Sequence, residues 1–523
     1  MEPVLIDGAW RAATSEGSFS AINPATGERL PATFPVSGIA DVEAALDAGV
    51  QAALELRDTQ PEAIADFLDA FGEGLLTNRD ALVASAAEET GLPAEPRLNT
   101  VELPRTADQL HQVAAAVRNR SWVMATIDTG AGIRSMFRPL GKPVAVFGPN
   151  NFPFAFNSVS GGDFAAAIAA GNPVIAKAHS SHPMTTKLLT EIAHSCATVT
   201  GLPRAMVQLI YRLRHLDGAS FAGDPKLGAI GFTGGRRGGL SLKGPADAAG
   251  IPIYLEMSSV NPVFVLPGAL HARGDEIADE FFGSCTLGAG QFCTNPGLVI
   301  IPTGHEGDAF VDAAAKLFAE ATPGVLLGSP DHISDAVATL VGAGAKVLVG
   351  GSPVERDGFA FANTLLTAQA EAFFGDPESL QTEAFGPVSL IIRADTIEEM
   401  TSIAAALDGN LTGAIYSASD GSDDAGYSAV EPELRPRVGR LLNDKMPTGV
   451  AVSPAMNHGG PFPSTGHPGF TAVGVPAAIH RFAALHSYDN VPDARLPLEL
   501  RDRNPNGVME RNVDLRWTTD DIA

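Results

Sequence analysis

Between residues 144 and 256 the chain alternates short apolar runs with helical patterns, and this alternation constrains the fold most. The runs are Val144–Phe147, ended by Gly148-Pro-Asn-Asn-Phe-Pro153, then 172–177, Val207–Ile210 and 227–232, the last followed by Thr233-Gly-Gly235. Helical patterns over 164–170 and Pro183–Val199 separate the first three. Strands that alternate with helices predict a parallel, doubly wound sheet. Such a sheet binds ligands beyond the carboxyl ends of its strands. A second stretch begins near 261, with strands expected at 263–266, 298–301, Lys346–Val349, 388–393, 411–416 and 440–442. Before the first sheet, residues 39–119 read as helices, and 121–138 as strand-rich around Trp122, Met124 and Ile127. In Pro183–Val199, Leu189, Ile192, Cys196 and Val199 fall on one face, which places Cys196 in the core.

One turn in this framework suits chemistry. Gly288-Ala-Gly-Gln-Phe-Cys293 follows an amphipathic helix predicted over 275–287, with Ile277, Phe281, Phe282 and Cys285 on one face. Gly288 and Gly290 break that helix. A glycine-rich turn lets backbone approach a substrate closely and can aim N–H groups at a developing oxyanion. On this stretch alone, a nucleophile and a structural thiol are both open. Glu256 ends an apolar run, where a carboxylate costs free energy unless it is paired or functional. Phe232-Thr-Gly-Gly-Arg-Arg-Gly-Gly239 can open a helix whose N-terminal amides face a phosphate. It is neither a dinucleotide fingerprint nor a P-loop, and Arg236 and Arg237 read as solvated.

Composition excludes several classes. Of 523 residues 45% are hydrophobic and 18% charged, as in globular chains. A formal net charge of −25 disfavours nucleic acid and anionic membranes. Three cysteines make no disulfide framework, so a reducing compartment, the cytoplasm, is expected. Neither a metal-ligand spacing nor an apolar run of membrane-spanning length is present, so no metal and no membrane partner is expected.

Seven pieces, in one order along nearly the whole chain, resemble the aldehyde dehydrogenase superfamily. They are Asn23-Pro-Ala-Thr-Gly27, Pro149-Asn-Asn-Phe-Pro153, Lys177, Phe232-Thr-Gly234 with Gly239, Leu255-Glu256, Gly290-Gln-Phe-Cys293 and Glu383-Ala-Phe-Gly-Pro387. Within it, Lys177-Ala-His-Ser-Ser-His182, Arg237-Gly-Gly239, Met257-Ser258 and His458-Gly-Gly-Pro461 resemble the branch of 2-oxoglutarate-semialdehyde dehydrogenases and an NADP-linked fatty aldehyde dehydrogenase.

The resemblance implies an α/β fold with two doubly wound parallel-sheet domains and a small β oligomerisation arm. A dinucleotide-binding domain would span 1–120 and 142–260, and a catalytic domain 261–455. The arm and C-terminal segment would span 121–141 and 456–523, forming a homodimer or homotetramer. Cys293 would be the nucleophile, Glu256 the general base, and Asn151 with the Cys293 backbone N–H the oxyanion donors. Lys177 would bond the adenosine ribose, Gly234 and Gly239 would flank the pyrophosphate, and Glu383 and Phe385 would border the nicotinamide ribose and ring. Ser180 stands where many NAD-preferring members carry a glutamate, and Arg214 lies in the following loop; both favour NADP, with NAD possible. Phe154, Phe156, Asn157 and Phe292 would border the aldehyde funnel. The sequence departs from the family at Gly235, Ser258-Ser259 and Ala451.

The reading that follows is oxidation of 2-oxoglutarate semialdehyde with NADP. A medium or long aliphatic aldehyde is the alternative substrate. A catalytically silent oligomeric scaffold is the alternative from another class.

Overall fold

The computed structural model describes all residues except Pro468, Asn506 and Ala523. The first sheet has seven strands, ordered Ile253–Glu256, Ala229–Thr233, Val144–Phe147, Val174–Lys177, Val207–Ile210, Val4–Ile6 and Ala9–Arg11. The first five run parallel, and the N-terminal hairpin closes one edge antiparallel. Phe147 pairs with both Lys177 and Phe232, and Thr233 with Glu256, so the carboxyl ends of four strands lie level. Strand order reverses between Val144–Phe147 and Ala229–Thr233, where the following loops diverge and open a crevice.

The second sheet also has seven strands: Lys346–Val349, Thr364–Gln369, Val388–Ala394, Leu298–Pro302, Val263–Val265, Asn410–Tyr416 and Val438–Asn443. All pairs are parallel except the edge pair of Lys346–Val349 with Thr364–Gln369, which is antiparallel. Phe264, Leu298 and Ile300 enter one core cluster while Val263, Val265, Val299 and Ile301 enter another. Both faces of the sheet are therefore covered, which is why its strands read as continuous apolar runs.

A third sheet joins Ala483–Asp489, Ile133–Pro139, Thr126–Asp128, Arg511–Val513 and Arg516–Thr518. No helix among the described residues is long and apolar enough to cross a membrane.

Some expectations need correction. Trp122 and Met124 precede the strand that starts at Thr126, and Ser121–Val123 is a single helical turn with Trp122 buried. Val199 is 83% exposed, because the last turn of Pro183–Val199 projects beyond the core; Cys196 is half-buried. The strand Thr364–Gln369 was not expected. Part of the C-terminal segment reaches both of the first two sheets: Gly409 N–H, just before the strand Asn410–Tyr416, donates to Phe462 O. Thr465 bridges to Glu256, and Met257 N–H donates to Ser464 O.

Candidate active site

Cys293 is presented by a strained turn. The helix Pro267–Thr286 ends, and Gly288, Ala289 and Gly290 follow in the left-handed region, with φ of 57°, 54° and 71°. A Cβ on Gly290 would sit 2.1 Å from the carbonyl oxygen of Gly386, so the turn packs onto the 383–387 loop only with glycine there. Ala289 tolerates its left-handed geometry at a cost of about 1–2 kcal/mol. Below the turn, Asn261 Nδ2 donates to the carbonyls of Cys293 and Asn295, 2.9 Å each. Asn261 Oδ1 accepts from the hydroxyls of Ser259, at 2.8 Å, and Thr412, at 2.9 Å. Ser259, where the family commonly has glycine, thus anchors the nucleophile loop.

Between the thiol and Glu256 lies a third group, His458, whose role the sequence did not disclose. His458 Nε2 is 3.4 Å from Cys293 Sγ and 3.1 Å from Glu256 Oε1. His458 and Glu256 are buried, and apart from the neighbouring thiol Glu256 Oε2 has no hydrogen-bond donor among the described residues. Burial pushes the Cys293 thiol well above its ordinary value; the charges of Glu256 and Glu383 add to this, and Arg440 opposes it. The thiol therefore needs a proton acceptor beside it. The sulfur, imidazole and carboxylate atoms lie within 4.8 Å of one another, a donor set that could also hold a thiophilic divalent cation.

The loop carrying Asn151 is held from three directions. His182 Nε2 donates to Pro149 O at 2.9 Å, and burial, first, keeps its pKa below the ordinary value. Glu102 Oε1 accepts from the backbone N–H of Phe154, at 2.8 Å, and Ala155, at 2.9 Å. Arg97 pairs with the other oxygen of Glu102 and donates to Asn151 O at 3.0 Å. Asn151 Nδ2 donates one hydrogen to Gln291 O, 3.0 Å away, which leaves its second for a ligand beside Cys293.

Two cavities meet at Cys293, which lines both. The first, about 460 Å³, follows the crevice at the switch point of the first sheet. Its wall includes 147–151, Lys177, His179, 232–235, Glu256, Met257, Ser258, Glu383 and Phe385. Burial, aided by Arg212, draws Lys177 down to about 8. Burial pushes Glu383 up to about 8, against hydrogen bonds from Ser258 and the Ser259 backbone. The helix Arg236–Ala248 begins at this wall, so its first amides are available to a phosphate. A lysine with no carboxylate partner among the described residues, a helix N-terminus and an acidic acceptor fit a dinucleotide. The second cavity, about 440 Å³, is mostly apolar, with Leu92, Val101, Phe152, Phe156, Phe292 and Val450 on its wall.

Thus Cys293, Glu256, Asn151, Lys177, Gly234, Glu383 and Phe385 converge on the first cavity, and Phe156 and Phe292 on the second. Others do not. Phe154 is fully buried in the first domain's core, and Asn157 spends its amide on Pro153 O and Thr186 Oγ1; neither lines the funnel. Gly239 sits outside the cavity, where its missing side chain lets the helix pack on Phe232, Leu255 and Met257. Ser180 neighbours His179 without lining the cavity. Arg214 is held by Asp217 and Glu16. Arg212, whose charge reaches Lys177, forms no ion pair among the described residues and went unnoticed in the sequence.

Fold and site together define an aldehyde-oxidising oxidoreductase that uses a nicotinamide cofactor. The sequence profile of the aldehyde dehydrogenase family matches residues 10–424, and the chain belongs to this family. It is 39% identical to alpha-ketoglutaric semialdehyde dehydrogenase 2 of Azospirillum brasilense, over 96% of this chain and 97% of that one. It is 35% identical to the alpha-ketoglutaric semialdehyde dehydrogenase of Acinetobacter baylyi, over 96% and 98%. Among solved structures, lactaldehyde dehydrogenase from Escherichia coli superposes with a TM-score of 0.80 at 23% identity, covering 93% of this chain and 98% of that one. A mutant aldehyde dehydrogenase C from Pseudomonas syringae, in complex with NAD+ and octanal, gives 0.79 at 20% identity, covering 95% and 98%.

Proposed function

We propose that the protein oxidises 2-oxoglutarate semialdehyde (2,5-dioxopentanoate) to 2-oxoglutarate, with NADP preferred over NAD. The observation that carries this reading is that Cys293 forms part of the wall of both cavities. The two full-length relatives supply the substrate class.

Sγ attacks the aldehyde carbon as its proton passes to His458 Nε2, 3.4 Å away, which is the unprotonated nitrogen of the neutral ring in this step. The transfer leaves the cluster's net charge unchanged, because an imidazolium forms between thiolate and carboxylate. The oxyanion of the thiohemiacetal takes hydrogen bonds from the Asn151 side chain and the Cys293 backbone N–H. When bound, the nicotinamide supplies the hydride acceptor. A thioester on Sγ remains. Glu256 Oε2 takes a proton from the attacking water, while Oε1 accepts from the Nε2–H that His458 gained from the thiol. His458 returns its proton to sulfur as the thioester bond breaks.

For the cofactor, Lys177 and Glu383 would hold the two riboses, Gly234 would admit the pyrophosphate, and Phe385 would border the nicotinamide. Ser180 and the cation of Arg212, rather than Arg214, favour a 2′-phosphate. The edge strands Ala483–Asp489 and Arg516–Thr518 suit pairing in a homodimer or homotetramer. Three free thiols suit the cytoplasm.

The apolar wall of the second cavity supports the second reading, a medium or long aliphatic aldehyde. Steady-state kcat/KM for the semialdehyde against decanal, each with NADP and NAD, separates the two. A preference for decanal overturns the semialdehyde assignment, and equal use of NAD overturns the cofactor preference.

A further inference from the structure

The second cavity has one feature that its apolar wall does not explain. Two guanidinium groups, of Arg97 and Arg105, reach it from consecutive segments, the wide-wound Ala94–Glu102 and the helix Leu103–Asn119. Their partners differ. Arg97 is neutralised by Glu102, donates to Asn151 O, and lies 4.4 Å from the Phe152 ring centroid. Its charge is used in holding the Asn151 loop.

Arg105, whose guanidinium lies 5.4 Å from the Phe156 ring centroid, has no carboxylate partner among the described residues. Its Nε and Nη2 both reach the single carbonyl of Val450, at 3.4 and 3.3 Å. Its Nη1 is buried and has no hydrogen-bond partner among the described residues. No carboxylate lies within ion-pair distance among the described residues; Glu102, its largest charge influence, is already bound to Arg97 and two backbone amides. Burial holds the Arg105 pKa below its ordinary value, and the charge of Cys293 is felt next. A half-buried cation with one buried, unbonded nitrogen is destabilising unless something neutralises it. Arg440, the other cation near the thiol, is spent on the carbonyls of Pro447 and Gly449, at 2.9 and 3.1 Å, and does not line this cavity.

A carboxylate is the group that satisfies a planar fork with two long bonds and one free nitrogen. An ω-oxo acid carries such a carboxylate on the end opposite its aldehyde. We infer that Arg105 is the specificity residue of this enzyme, binding the substrate's distal carboxylate while the aldehyde lies at Cys293 Sγ. The inference rests on the proposed semialdehyde reading and supplies the anchor that reading lacks. The intervening carbons pass between Phe152, Phe156 and Phe292, which accounts for apolar walls in a site for a charged substrate. Because the anchor and the thiol are both fixed, selectivity is set by length, and ω-oxo acids shorter or longer than the best fit lose affinity. The Val450 carbonyl ties Arg105 to the 447–450 loop, whose Gly449 N–H donates to Thr294 Oγ1 at 3.1 Å, so the anchor and the nucleophile loop are held together.

The test compares 2-oxoglutarate semialdehyde with pentanal, which has the same number of carbons and no carboxylate. The enzymes are wild type, Arg105→Met and Arg105→Lys, all with NADP. In Arg105→Met the ratio of kcat/KM for semialdehyde over pentanal falls on the order of 100-fold, mostly through KM. Arg105→Lys, which keeps the charge but not the fork, recovers part of the ratio. Thermal melting and NADP binding check that both variants fold, and the ratio itself cancels a uniform loss of active enzyme. A second reading is the dissociation constant of 2-oxoglutarate, which weakens in Arg105→Met. If wild type prefers the semialdehyde and Arg105→Met leaves the ratio within about threefold, the anchor is refuted and the substrate stands. If wild type prefers pentanal but Arg105→Met still lowers the ratio, the anchor stands and the substrate is refuted. If wild type prefers pentanal and the ratio does not move, both fall.

Discussion

Replacing His458 with glutamine separates its proton chemistry from its packing. Glutamine fills similar volume and can donate to Glu256 as the protonated imidazole would, but it cannot accept the Cys293 proton. At pH 7 a thiol titrating two units higher is about 1% thiolate. Burial and the charges of Glu256 and Glu383 push Cys293 above an ordinary thiol, so its unaided anion is rarer still. A positioned base contributes about 10²–10⁴-fold. His458→Gln should therefore slow acylation by that factor, and the rate should climb tenfold per pH unit across the neutral range. Two assays read this. One is the stopped-flow burst of reduced cofactor. The other is the rate of iodoacetamide alkylation of the Cys293 peptide against pH, mapped by mass spectrometry to distinguish half-buried Cys196. A variant that keeps the wild-type burst and pH profile would refute the assignment of the base.

Three further expectations follow from the same geometry. Arg212→Ala and Ser180→Glu should each lower the NADP/NAD ratio of kcat/KM about tenfold, while Arg214→Ala, whose charge is held by Asp217 and Glu16, should leave it unchanged; the reverse pattern would restore Arg214 as the phosphate ligand. Glu102→Gln strands the Arg97 cation and weakens the hold on Phe154 and Ala155, so unfolding free energy should fall by about 3 kcal/mol with Asn151-dependent kcat reduced, measured by denaturant melts and kinetics; an unchanged melt would mean the pair is dispensable. Glu383, raised to about 8, becomes the stronger ribose acceptor as pH rises through that value, whereas Lys177, lowered to about 8, loses its charge over the same range. NADP affinity by calorimetry should then peak near pH 8, and Glu383→Gln should remove the acidic limb only; a flat wild-type profile would contradict both shifts.

Much of this molecule was legible because its strands are buried on both faces. Continuous apolar runs such as Val144–Phe147 and Val207–Ile210 marked the first sheet, and the glycines around Cys293 marked the turn. The strand Thr364–Gln369 escaped because its threonines and alanine break the apolar run that marked its neighbours. The site was legible where one local stretch carries both position and chemistry, as at Cys293, Asn151 and Glu383. His458 was visible only as part of a branch pattern, because its role comes from a contact 165 residues away in the chain. Arg105 gave no signal at all. Its meaning lies in what it lacks, a partner for Nη1, and absence of a partner is a property of packing rather than of sequence. Phe154 and Asn157 were misplaced for the opposite reason. Their neighbours Phe152 and Phe156 face the cavity, and loop backbone does not alternate in a way that sequence reveals.

The division of labour between Cys293, His458 and Glu256 is tested most directly by trapping the acyl-enzyme. Glu256→Gln, mixed rapidly with 2-oxoglutarate semialdehyde and NADP and quenched in acid, should give one equivalent of reduced cofactor per site. The Cys293 peptide should carry the added mass of the acyl group, decaying far more slowly than turnover of wild type. A burst with no adduct on Cys293, or an adduct on Cys196 or Cys285, would contradict the account.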